Sequence, residues 1–173
     1  MNDSLNRMWS LAGAAFLACS LVALWVWPKL FGVDTHPLYA WAEIQSGVGW
    51  LEPGLRYAVA MIALTIAVLV LVPRTRLWAA YAGLALSTLF LAAHMSPWLG
   101  INLPSYGPLM EAMAAGRTAA EIKAMNLPTD LGGHASLAIT NAVLALIAIG
   151  GETAVRKAER TPLQTGVYAA SAA

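Results

Sequence analysis

The sequence predicts an all-α integral membrane protein: a four-helix bundle with short interfacial helices in its two outer connections. Three observations carry this expectation. Apolar residues make up 59% of the 173 and charged residues only 11%, against roughly 45–50% and about 25% in soluble domains. The charges also avoid four long runs, residues 8–27, 57–72, 77–96 and 134–151, which contain no Asp, Glu, Lys or Arg. Finally, all seven tryptophans fall near the ends of those runs or in the connections between them, where an amphipathic indole favours the headgroup zone.

Each run has the length of a membrane crossing, since a helix needs roughly 17–25 apolar residues to span about 30 Å of hydrocarbon. The expected spans are 8–27, 54–73, 77–96 and 134–151. The first follows Arg7 but ends in the bulky segment Trp25, Val26, Trp27, Pro28, so it reads as a retained helix and not as a cleaved signal sequence. The second run is the shortest. It borrows residues 54–56, with Arg56 expected to snorkel to the surface. The third and fourth are bounded by Arg76 and by Gly133, and a polar cytoplasmic tail, 152–173, is expected to be a short helical extension followed by flexible chain.

The connections alternate between long and tight. In the first long one, residues 37–47 mix Leu38, Tyr39, Trp41 and Ile44 with Glu43 and Gln45, the pattern of a short interfacial helix. The tight turn 73–76 carries Arg74 and Arg76. In the second long connection Thr118 and Glu121 form a capping-box pattern, predicting a short helix that ends before Pro128. Pro104, Gly107, Pro108, Gly132 and Gly133 punctuate the remainder. With the tight turn inside, one side holds Arg7, Arg74, Arg76, Arg156, Lys157 and Arg160 on short segments, and the other holds Lys29, Arg56, Arg117 and Lys123 on long ones. The positive-inside rule then places both termini in the cytoplasm, in a bacterial inner (plasma) membrane.

Cys19, the single cysteine, excludes an internal disulfide or a two-cysteine redox pair and reads as a small buried residue. The net charge of +1 and the lack of a basic stripe with interleaved aromatics exclude nucleic acid as a partner. Ala79, Gly83 and Ser87 recur every fourth residue, as do Ala15, Cys19 and Ala23. Such rows let helix backbones approach closely. Asn141, in the fourth run, is expected to hydrogen-bond across helices.

Three stretches carry a family resemblance: PKLFG (28–32), GLRYAVAMIALTIAVLVLVPRTRLWAAYAGLAL (54–86) and AAHMSPWLGI (92–101). Over residues 27–102 the chain resembles the DoxX-like family of small four-helix membrane proteins. Where that family often carries a glutamate in its second helix, this chain has Ala63, Leu64 and Thr65. The resemblance implies an accessory role beside membrane redox enzymes, some of them quinone-linked.

The chemistry-bearing residues are few. No catalytic grouping is present: there is no GxSxG elbow and no Ser, His and acid set. The three histidines, His36, His94 and His134, all fall on the outer side, where imidazoles can hydrogen-bond a quinone or ligate haem. Met95, Met110, Met113 and Met125 share that side as soft donors. No two histidines have metal-ligand spacing on one helix, so no metal site is expected. No carboxylate or lysine is expected inside the spans, which argues against an ion-coupled channel or transporter for small molecules. The reading that follows is a non-catalytic accessory or structural subunit of a larger membrane complex of redox or energy-converting type, with the lipid bilayer and other membrane subunits as partners. The alternative is a small redox protein that binds quinone or haem through His94 and His134.

Overall fold

A computed structural model describes residues 3–32 and 34–171, with side chains described over 4–32 and 34–160. Among the described residues all regular structure is helical apart from one isolated β-bridge between Pro104 and Thr129. Helix α1 covers Asp3–Ser20 and continues as wider π-turns over Leu21–Val26 and Pro28–Gly32. Pro28 accounts for the widening: it has no N–H, its ring clashes with the preceding turn, and a π-turn relieves both. The others are α2, Pro37–Ser46; α3, Arg56–Leu71, preceded by a π-turn at Leu51–Leu55; α4, Arg76–Met95; α5, Tyr106–Ala114; α6, Ala119–Ala124; and α7, Gly133–Ser171.

Four helices are long and apolar enough to cross a membrane: Ser4–Gly32, Leu51–Leu71, Arg76–Met95 and Gly133–Arg160. Their outward faces are apolar too, with Leu11, Phe16, Leu89 and Leu146 all exposed. A soluble protein would cover such faces with polar residues, so the fold is that of an integral membrane protein. The spans overrun the charge-free runs. The first takes in Lys29, the second Glu52 and Arg56, and the last Glu152.

The long helices pack as pairs, α1 against α7 and α3, and α4 against α7 and α3. Small residues set the α1–α7 distance. A Cβ on Gly13 would sit 3.1 Å from the Ala148 Cα, and one on Gly151 would sit 2.9 Å from the Ser10 Cα. On α4, Ala79, Gly83 and Ser87 are all buried, with Gly83 beside Leu17 and Ile66. The row on α1 faces the other way: Cys19 and Ala23 are exposed, and the buried face is Ala14, Leu17, Ala18 and Leu21. Cys19 is therefore not the buried residue its position suggests.

At one end the two long connections form a cap. Helix α2 begins at Pro37 and closes on Gly47, whose φ of 72° is the left-handed conformation that glycine adopts without a steric penalty. The expected capping box forms, with the Thr118 N–H donating to the Glu121 carboxylate at 2.7 Å and the Glu121 N–H donating to the Thr118 hydroxyl. Helix α5 lies where Gly107 and Pro108 suggest only loop. Pro108 occupies its first turn, where an N–H has no intrahelical acceptor to meet. Ala40, Leu109, Ala112 and Ile122 bury one another, joining α2, α5 and α6 in a second small core.

At the other end the tight turn is stapled by Arg76. Its guanidinium donates to the Val70 and Leu71 carbonyls, left free where α3 ends, to the Ser10 hydroxyl at 3.1 Å and to Glu152. Glu152 accepts from Ser10 at 2.7 Å and from Arg156 at 3.1 Å. This network joins α1, α3, α4 and α7, and it requires α7 to run unbroken through Gly150 and Gly151. The tail expected from 152 onward is helical to Ser171, and the last two residues lie outside the described ones.

Candidate functional site

Beneath the cap lies a cavity of about 110 Å³, walled by Trp25, Lys29, His36, Phe90, His94 and His134 among others. The three histidines arrive from three elements: His36 immediately precedes α2, His94 ends α4, and His134 opens α7. The structure brings all three together; the four methionines do not line the cavity.

Lys29 is only 5% exposed, whereas a basic residue after an apolar run is expected in a loop. The continuation of α1 past Trp27 turns it inward in register with buried Leu21 and Trp25, and its Nζ stands 5.1 Å from the Trp25 ring centre, a cation–π contact. Trp25 itself is buried edge-on to Phe90, centroids 4.6 Å apart, and does not mark an interface. Arg56 does not snorkel. It is 3% exposed, pairs with Glu52 at 3.0 Å and donates to the Asp34 carbonyl and the Tyr57 hydroxyl. Arg56 acts electrostatically on both His36 and Tyr39, and Glu52 on Tyr39.

The hydrogen bonds fix what each imidazole offers. The His94 Nδ1 lies 3.1 Å from the Gly100 carbonyl, so it must carry the proton and donate, and Nε2 of the neutral ring holds a lone pair. That Nε2 is buried and has no partner among the described residues. The His134 Nδ1 faces the Asp130 carboxylate at 2.7 Å and donates to it. Asp130 was not singled out by sequence reasoning. Burial pushes its carboxyl pKa up, but bonds from the His134 ring and from the His134, Leu103 and Gly132 N–H groups hold it below the ordinary value. Its only sequence signal is its place just before the Gly132, Gly133 helix start. Bonds between Leu103 and Asp130 and the Pro104–Thr129 bridge fasten the two ends of the second long connection and hold Asp130 in position.

His36 stacks edge-to-face with Tyr39 and His134, centroids 5.3 and 5.5 Å away, and its buried Nδ1 has no partner among the described residues. Burial first, and then the charges of Lys29, His134 and Arg56, lower its pKa to about 3, so it stays neutral at physiological pH. The Trp25 Nε1 is buried and unpartnered as well. The cavity wall thus combines donors, the Lys29 ammonium and the Trp25 N–H, with two unpartnered imidazole nitrogens, the His36 Nδ1 and the His94 Nε2. Among the described residues no group of three or more His, Cys, Asp or Glu could hold a metal ion.

Asn141 is fully buried, but its amide donates to Leu137 on its own helix at 3.0 Å instead of bridging helices. Together, fold and site define an all-helical integral membrane protein with a buried, cationic, histidine-lined cavity at one end. No protein-family model, curated protein or solved structure matches this chain.

Proposed function

We propose that this protein is a small membrane protein of the redox type, whose capped cavity receives the ring head group of a quinone. The observation that carries the reading is the cavity's mixed wall: a buried donor, the Trp25 Nε1, and two buried imidazole nitrogens, the His36 Nδ1 and the His94 Nε2, without partners among the described residues, beside the Lys29 ammonium and on elements held in place by the cap. A buried polar group without a partner costs on the order of 1–3 kcal/mol, so a ligand with oxygens that both accept and donate offsets several such costs at once. A quinone supplies two-electron, two-proton chemistry when bound. Lys29 and Trp25 are placed to donate to a ring oxygen. The unpartnered His94 Nε2 would take a proton from one, its tautomer set by Gly100, with His134 held beside it by Asp130. A haem macrocycle is too large for about 110 Å³.

The four spans serve this reading as a bundle that holds the cavity at its outer end, with the termini cytoplasmic. The stretches that resemble the DoxX-like family include Lys29 and both His94 and Gly100, so the likeness falls on the site and not only on apolar helix. In the test, lipids are extracted from protein purified in mild detergent and separated by chromatography. Quinone is expected to co-purify, and His94→Ala to lower its recovery about three- to tenfold, the worth of one hydrogen bond. Protein that carries no quinone, or a variant that carries as much as wild type, excludes this function.

A second reading, an accessory subunit, is favoured by one feature. Gly150 faces open space beside an apolar groove of about 250 Å³ formed with Trp9, Ile147 and Ala154, a seat for a membrane-spanning helix of another subunit. Co-purification of a stoichiometric membrane partner would establish it.

A further inference from the structure

At the end opposite the histidines, a cavity of about 720 Å³ opens between α1, the α3–α4 turn and α7, and five arginines line it: Arg7, Arg74, Arg76, Arg156 and Arg160. Only two carboxylates, Glu152 and Glu159, share the wall, and both are engaged. Glu152 accepts from Ser10, Arg76 and Arg156, and Glu159 lies 3.4 Å from Arg7. Among the described residues neither Arg74 nor Arg160 has an ion pair. Arg76 is buried and spends four hydrogen bonds on its own network, so it serves as wall. The surplus positive charge therefore sits on Arg74 and Arg160 and on the unused N–H groups of Arg156 and Arg7.

Arginine recognises phosphate through a planar fork of donors that fits two oxygens at once. The depth is also that of a phosphate layer. Trp9 and Trp78 are exposed at this end of the spans, and indoles at span ends mark the headgroup level. Leu11, Pro73 and Val155 complete the wall, apolar neighbours suited to the first carbons beneath a headgroup. We propose that this cavity binds a phosphate group, that of an anionic phospholipid. The same donors would take free phosphate, and the two sources are separable by experiment.

The experiment is native mass spectrometry of the full chain in mild detergent, after incubation with phosphatidylglycerol, with phosphatidylcholine or with inorganic phosphate. Wild type is expected to keep phosphatidylglycerol in preference to phosphatidylcholine. The double variant Arg74→Ala, Arg160→Ala is expected to lose that preference by roughly ten- to thirtyfold, two surface arginines' worth of attraction. Both side chains are exposed, and an unchanged melting temperature verifies that the variant is folded. Arg74→Lys with Arg160→Lys keeps the charge and should restore part of the preference. If phosphate alone binds, again lost in the double variant, the source is free phosphate. Equal retention of both lipids with no phosphate binding, or an alanine variant that behaves like wild type, overturns the proposal.

Discussion

At one end of the helices the buried cation Arg76 meets Glu152, Ser10 and two backbone carbonyls. At the other the buried cation Lys29 meets the face of Trp25, and among the described residues no carboxylate lies within ion-pair distance. Both positions remove a charge from water, which costs several kcal/mol per ion. At the Arg76 end the chain supplies the compensation and the result is a structural joint among four helices. At the Lys29 end it leaves donors and acceptors unmatched, an arrangement that a structural joint does not need and a ligand site does.

Three substitutions break or sharpen this contrast. The largest effect is expected from Glu152→Gln, which leaves Arg76 buried and uncompensated and should cost about 3–5 kcal/mol. Thermal unfolding in detergent measures it, and a loss below about 1 kcal/mol would mean that the network is ornamental. Next comes pH. His36 has a folded pKa of about 3, below the unfolded value of 6.5, so the unfolded chain binds the extra proton. The stability that neutral His36 contributes is whole above pH 6.5 and declines as pH falls toward 3, by about 1.4 kcal/mol per unit. His36→Gln should remove that part of the slope between pH 6.5 and 5, and an unaltered slope would show that His36 is already protonated in the fold. The smallest effect is expected from Lys29→Met. Replacing an unpaired buried ammonium with a thioether of similar shape should raise stability by about 1 kcal/mol while lowering quinone recovery. Destabilisation with recovery intact would mean that the cation holds the cap together and binds nothing.

The two ends also differ in how much of them could be read from sequence. Local features could be. The spans follow from runs of charge-free residues, α2 from its apolar spacing and terminal glycine, and α6 from Thr118 and Glu121, each decided within a few neighbouring residues. The three histidines were legible as a group because the alternation of long and tight connections puts them on one side. Lys29, Arg56 and Glu152 were not. Each stands just beyond an apolar run, where a charge ordinarily marks the water, and only helices that continue past the run carry it inward. Cys19 and Ala23 were misread for a related reason: in an alanine-rich helix more than one face is small enough to pack.

By itself the sequence determined that the chain is helical, which segments are greasy enough to span a bilayer, and where the caps and turns fall, because hydrogen bonding within a helix and transfer into lipid depend on nearby residues alone. Only the tertiary structure decided which polar groups are buried together. That depends on contacts between residues as distant as Ser10 and Glu152, or His36 and His134, and on whether a neighbouring helix supplies a charge with a partner or leaves it without one.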